Sequence, residues 1–565
     1  MKRIKKPIYT LLAAAMIAGT LSGCFASGST TGAAPGSPPR KEPFDLTVCL
    51  APNPETMDPA LNCAVDGGSM LLHFFEGLMK YSDDGEGNAV LAAGQAECYE
   101  KQEHADGTVT YTFKLRDDIF WSDGKPVAAG DFVYAWQRLA DPGTAAAYCY
   151  MLDMVAGANE VMRGQAEPSA LGVRAPDDAT LVVELTYDCP YFLGICAFPA
   201  LLPVRRDMIE ANGDQWTFAP ETYLSNGIYK MAEWTQNDRI VALPNEYHYD
   251  VANLGPDSIT FRFLDDANAI YSAFRAGDLS FVESVPVDET AALLENGTMR
   301  TADHLGTYYI CFNNRNYPFD DPRVRQAFSL VIDSPYLVHT ITQTGETPAS
   351  GLVPYGVYDA GGAGQEDFRT TGGAYWEVPV TAEVCRNNCD RARALLAEAG
   401  YPGGEGFPIV EYLYNTDDRN RTIAEAVQSM WAAELGVTVT LVNQDWGAVL
   451  QSCFDGDYQM ACGVWIADYN DPVSFLDIWQ TGGGNNIAHY SNAEFDEALC
   501  SAKTARTPAE RMGFLHRAED ILIGRDRALA PIFFYTYSYC VHPDLKGVCC
   551  NPLGYVFFGY SRMAR

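Results

Sequence analysis

The hydrophobic pattern switches period repeatedly along this chain. Polar and apolar residues alternate from Thr108 to Leu115 and again from Val437 to Val442, the two-residue period of half-buried strands. Phe44 to Leu50, Gly306 to Asn314, Met460 to Ile466 and Ala530 to Tyr535 are apolar runs of strand length. Helical stretches lie between them. Met70, Leu71, Phe74, Phe75 and Leu78 share one side of a helix, and Phe132, Val133, Ala135, Trp136 and Leu139 stripe another that Asp131 can start. Ile270 to Leu279 ends in Ala276-Gly277-Asp278, with Gly277 just past the helix. Asp321-Pro322 supplies a cap and a first-turn proline for a helix through Phe328. Further helices are predicted over Arg391 to Ala399, Thr422 to Leu435, Ser474 to Trp479 and Thr507 to Ile523, the last opening on the capping box Thr507-Pro508-Ala509-Glu510. Strands and helices interleave throughout, which predicts an α/β fold.

One strand ends abruptly. The run Met460 to Ile466 stops in Ala467-Asp468-Tyr469-Asn470-Asp471-Pro472. Pro472 removes a ladder donor, and Asn and Asp favour turns. Asp468, flanked by Trp465 and Tyr469, admits two readings. Its carboxylate faces a cation in a semi-apolar cleft, or it satisfies the backbone of its own turn.

Composition adds a compartment. The chain has 565 residues, 47% hydrophobic and 12% aromatic, enough for several well-filled domains. Lys2, Arg3, Lys5 and Lys6 precede the short apolar run Ile8 to Thr20, and Leu21-Ser22-Gly23-Cys24 matches the bacterial lipoprotein cleavage box. The expected mature chain starts at a lipidated Cys24, anchored to the membrane, and Phe25 to Pro43 reads as a flexible tether. Losing the four positive residues takes the net charge from −34 to −38, which argues against nucleic acid as a partner. Fifteen cysteines follow Cys24, an odd number that cannot all pair internally. Most read as small buried apolar residues, with disulfides such as Cys189–Cys196 or Cys385–Cys389 the alternative.

Several strings together resemble the oligopeptide/dipeptide-binding family of extracytoplasmic solute-binding proteins, which serve ABC importers. The segment from Leu435-Gly436 through Asn443-Gln444-Asp445-Trp446 precedes Trp465-Ile466-Ala467-Asp468-Tyr469, with Trp446 nineteen residues before Trp465, as in that family. Asn53-Pro54-Glu55-Thr56-Met57-Asp58-Pro59, Phe75-Glu76-Gly77-Leu78, Trp121-Ser122-Asp123-Gly124, Asp131 to Arg138, Gly227 to Trp234 and Asp321 to Phe328 match other family strings, from about Asn53 to Tyr537. The resemblance implies a two-lobed periplasmic-binding-protein-like fold with an extra domain in the first lobe. The implied division is residues 44–83, 208–302 and 516–565 in lobe I, 84–207 in the inserted domain, and 303–515 in lobe II. It also implies that Asp468 receives a peptide's α-ammonium group, that Trp446 packs against a ligand side chain, and that Tyr148 lies against the peptide. Trp465, Val464 and Ile466 on the same strand, Tyr309 on the strand crossing between lobes, and Asn485 in the polar loop Thr481 to Asn486 complete the expected binding set. The implied partners are a peptide ligand and the permease and ATPase subunits of an importer, acting with a monomer that closes over its ligand.

No GxSxG elbow, HExxH helix, P-loop or Rossmann fingerprint occurs, and no cofactor or metal is expected. Competing readings are a relative binding an oligosaccharide or a metal chelate, and an extracellular hydrolase. A saccharide has no ammonium for Asp468. Some peptide-binding relatives carry cations where this chain has Cys453, Phe454 and Cys462. The ligand's carboxylate is therefore expected to reach solvent or a cation elsewhere.

Overall fold

The computed structural model describes residues 22–23, 43–50, 52–83, 89–362 and 364–564; Cys24 and the expected tether through residue 42 lie outside them. Eleven strands join in one sheet that runs through both lobes. In the second lobe, Val410–Asn415 runs parallel to Val439–Gln444 and to Met460–Ile466, with helix Asp418–Leu435 making the crossover. In the first lobe, Asp45–Cys49 runs parallel to Ser258–Arg262 and Phe281–Val282, and the hairpin of Tyr229–Thr235 with Arg239–Pro244 closes that edge. A separate antiparallel sheet of Ala96–Glu103, Val109–Leu115, Thr180–Leu185 and Val173–Asp177 forms the inserted region, with Ser22–Gly23 paired at its edge. Helix Ala129–Ala140 buries Phe132, Trp136 and Leu139 in this region's core. The second lobe has its own core, where Phe328 meets Trp431 at 5.3 Å between ring centres.

Two long antiparallel strands, Met299–Phe312 and Leu529–Val541, tie the lobes together. Met299 to Asp303 pairs with Thr536 to Cys540 on the first-lobe side, and Thr307 to Cys311 pairs with Leu529 to Phe534 on the second. The register breaks between Asp303 and Thr307. The chain therefore returns to the first lobe within Leu529–Val541, later than the expected boundary at residue 516. Before that strand, Glu519 is fully buried, pairs with Arg369 at 2.6 Å and accepts the N–H groups of Leu352 and Val353, which ties the preceding helix to residues 352–369.

Caps explain most differences in element bounds. Asp131 is the third residue of its helix, not the start; its carboxylate accepts Ala128 N–H at 2.9 Å and Trp121 Nε1–H at 3.1 Å. Asp417 and Thr381 cap helices that begin earlier than their apolar stripes, giving Asp418–Leu435 and Ala382–Glu398. Gly277 takes the left-handed conformation after Ala267–Ala276, and Asp321 caps Pro322–Leu330, as read from the sequence. Cys189, Cys196, Cys385 and Cys389 are free thiols. Among the described residues no helix is long and apolar enough to cross a membrane.

Candidate functional site

The strand Met460–Ile466 carries the site. One side pairs along its whole length with Gly306 to Phe312. On the other side only Met460 and Ala461 have ladder partners, in Val410–Asn415. From Cys462 onward that edge is open among the described residues. An open edge offers donors and acceptors to an extended guest backbone.

Asp468 stands just past the end of this strand. Ala467 N–H donates to the Leu305 carbonyl at 2.8 Å and Asp468 N–H donates to Ser474 Oγ at 3.0 Å, so the turn is pinned. The side chain is buried, and Oδ2 accepts the Tyr150 hydroxyl at 2.7 Å. Burial pushes the Asp468 carboxyl up to about 7, against a smaller downward pull from the Tyr150 bond, and no cation among the described residues acts on it.

Its neighbours are satisfied differently. Asp471 accepts two hydrogen bonds from Arg511, each 2.8 Å, and also Val473 N–H at 3.0 Å. Asn470 accepts Tyr358 N–H and donates to the Gly356 carbonyl, both at 3.0 Å. Of the two readings open for Asp468, backbone satisfaction of the turn thus belongs to Asp471. Asp468 is left as a buried acid with one neutral donor.

The inserted region supplies the opposite wall. Tyr148 and Tyr150 sit on the short helical segment Ala147–Leu152, with ring centres 5.8 Å apart, and Phe198 meets Tyr148 edge-on at 5.0 Å. Tyr191 stacks on Tyr469 at 4.2 Å and 3°, and Lys503 Nζ lies 3.1 Å from Asp153. The inserted region and the second lobe are therefore in contact around Asp468.

Three cavities lie in this region, one of them lined by the strand itself. One of about 150 Å³ is lined by Tyr150, Asp153, Asp477, Asn485 and Lys503 among others. Another, of about 250 Å³, runs beside the open edge and is lined by Tyr308, Asn415, Trp446, Cys462, Val464 and Tyr535. The third, of about 420 Å³, lies between the lobes and is lined by Asp66, Glu283, His304, Arg419, Tyr535 and Tyr537 among others. Tyr535 borders the last two, so they adjoin.

The expected residues fall into place unevenly. Asp468 and Tyr148 share one end, Asn485 lines the smallest cavity, and Trp446, 41% exposed, shares the middle one with Val464. Trp465 and Ile466 are half-buried on the strand, and Trp465 Nε1 has no hydrogen-bond partner among the described residues. Tyr309 is buried against Gly463, where any side chain would run into its ring, and it meets Trp479 edge-on at 5.6 Å. Its neighbour Tyr308 lines the cavity instead, because successive strand residues face opposite sides.

Cys462 and Cys453 are held neutral by burial, which pushes their thiols up to about 11 and about 12. Sequence reading missed Tyr150, Glu283, Arg419, Asp477 and Lys503. Arg419 pairs with buried Glu346 and lies 5.5 Å from the ring centres of Phe533 and Tyr535. Burial pushes the Glu283 carboxyl up to about 8, and its hydrogen bond comes from the Tyr537 hydroxyl. One signal was available: Lys503 is the only lysine between Lys230 and Lys546.

A family model described as "Bacterial extracellular solute-binding proteins, family 5 Middle" matches residues 95–487. The chain is 32% identical over 516 residues to the periplasmic murein peptide-binding protein MppA of Escherichia coli, covering 90% of this chain and 91% of that protein. It is 31% identical over 544 residues to the oligopeptide-binding protein OppA of Bacillus subtilis, covering 95% and 96%. The structure of Haemophilus influenzae OppA in complex with the peptide RPPGFSPFR superposes with a TM-score of 0.79 at 31% identity, covering 93% of this chain and all of that one.

Proposed function

The chain belongs to the family 5 bacterial extracellular solute-binding proteins, and on that premise we propose that it is the oligopeptide-binding component of an ABC importer. It takes a peptide between its lobes, closes over it and delivers it to a membrane permease. The observation that carries this reading is Asp468, a buried carboxylate with a tyrosine partner and no cation, placed at the end of an open strand edge. A peptide supplies what this arrangement lacks. Its ammonium group pairs with Asp468, and its extended backbone continues the sheet beside residues 462–466. Its side chains enter the cavities by Trp446 and by Asp477. Tyr148 and Trp446 are the aromatic walls of the bound peptide. A saccharide or a metal chelate carries no such cationic end. The protein works as a monomer held at the membrane by lipid on Cys24; the support for the anchor is the order of charged segment, apolar run and Leu21-Ser22-Gly23-Cys24.

Native mass spectrometry of the purified protein tests the reading. Co-purified masses that match intact peptides, released on denaturation, are expected. A saccharide mass, or a peptide mixture cleaved on incubation, overturns it.

A further inference from the structure

The cavity of about 150 Å³ has a composition that peptide backbone binding does not use. Met151, Met154, Ile195, Tyr469 and Ile478 give it apolar walls, and Asp477 stands among them. The Asp477 carboxylate receives no hydrogen bond and no ion pair from a described residue. Lys503 reaches it only through space, being paired with Asp153 at 3.1 Å. Two carboxylates, Asp153 and Asp477, thus share a single lysine, Asp468 adds a like charge nearby, and burial together with Asp153 pushes the Asp477 carboxyl up to about 7. Tyr150 is the wall shared with the ammonium site: its hydroxyl holds Asp468 while the residue also lines this cavity. A ligand residue whose ammonium sits on Asp468 therefore has its own side chain next to this opening.

We propose that this cavity is a subsite for a cationic side chain on the first residue of the bound peptide, with Asp477 as its counter-ion, so that the protein favours peptides beginning with lysine or arginine. An apolar stem with a charged tip matches apolar walls around an unpaired acid. The cation pairs with ionised Asp477, and any proton held there leaves to solvent. A neutral first residue fills the same space and leaves the acid uncompensated. This inference rests on the peptide-binding reading above.

Isothermal titration at pH 7.5 of the full chain, stripped of co-purified ligand, separates the two. The probes are Lys-Ala-Ala, norleucine-Ala-Ala and Ala-Ala-Ala, with the wild type and Asp477→Asn. Lys-Ala-Ala is expected to bind the wild type about ten- to a hundredfold more tightly than the norleucine peptide, the range of one charge-assisted hydrogen bond. In Asp477→Asn this preference should shrink to about threefold or less, with Ala-Ala-Ala binding both proteins alike. Equal or tighter binding of the norleucine peptide to the wild type overturns the subsite, as does a preference that survives in Asp477→Asn. If the variant does not fold, the wild-type ratio alone decides. Failure of all three peptides to bind the wild type overturns the peptide reading itself and the subsite with it.

Discussion

Replacing Asp468 with asparagine keeps the side chain's shape and an acceptor for Tyr150, but removes the charge. A ligand ammonium would then enter a site that is 8% exposed and offers no other described counter-ion. Leaving one member of a buried pair uncompensated costs about 3–5 kcal/mol, or roughly two to nearly four orders of magnitude in Kd. Little water is present to screen the loss, so the full range applies. The wild type should also depend on pH. With its carboxyl at about 7, Asp468 is mostly ionised at pH 7.5 and almost wholly protonated at pH 5. Ionising it at pH 5 costs about two pKa units, near 2.7 kcal/mol, so wild-type affinity should fall about a hundredfold between those values while Asp468→Asn stays nearly flat. Titration calorimetry with a tripeptide and its N-acetylated form, at both pH values, measures all of this, and circular dichroism checks the fold. Acetylation should weaken the wild type severely and the variant little. If Asp468→Asn binds within threefold of the wild type at pH 7.5, or loses as much as the wild type on acetylation, the ammonium reading is wrong.

Asp468 and Asp477 both have carboxyls raised to about 7 from an ordinary 3.8, so the folded, ligand-free state favours their neutral forms. That stability is fully present below about pH 4 and is lost as pH rises through 7, so the melting temperature should decline across this window; a double Asn variant with the same slope as the wild type would contradict the assignment. Amidating the peptide's carboxyl end should change affinity by less than about threefold, since Cys453 and Cys462 are neutral and Arg419 is tied to Glu346, whereas a loss comparable to acetylation would reveal a carboxylate anchor. Cys24→Ala should abolish lipid attachment and leave the protein uncleaved or released, read by membrane fractionation and intact mass; a wild type without lipid-dependent mass refutes the anchor.

The sequence was most legible where local chemistry decides. The strand Met460–Ile466, its abrupt turn and the caps at Asp321 and Gly277 follow from residue types alone. Helix Trp446–Asp455 was missed because only Val449 and Cys453 are buried, too few to show a stripe. Helix Ala382–Glu398 was shortened because its first two turns carry few apolar residues and only Thr381 announces them. Tyr150 was out of reach, since its partner Asp468 lies 318 residues away and only the fold joins them. The distinction between Asp468 and Asp471 was equally hidden. It depends on Arg511, forty residues on, choosing one of two similar acids.

The pair of strands that ties the lobes together limits how the molecule can move. Two connections at separate points would let one lobe slide or twist over the other. Here the connections lie side by side and are bonded to each other above and below a short irregular stretch at Asp303 to Thr307. A ribbon of that kind is stiff along its length and yields only where its bonding lapses. The opening expected from such a ribbon is a swing about that stretch, like a page about its spine. On the proposed function, that swing would carry a guest strand laid on the edge of residues 462–466 to the tyrosines of the inserted region.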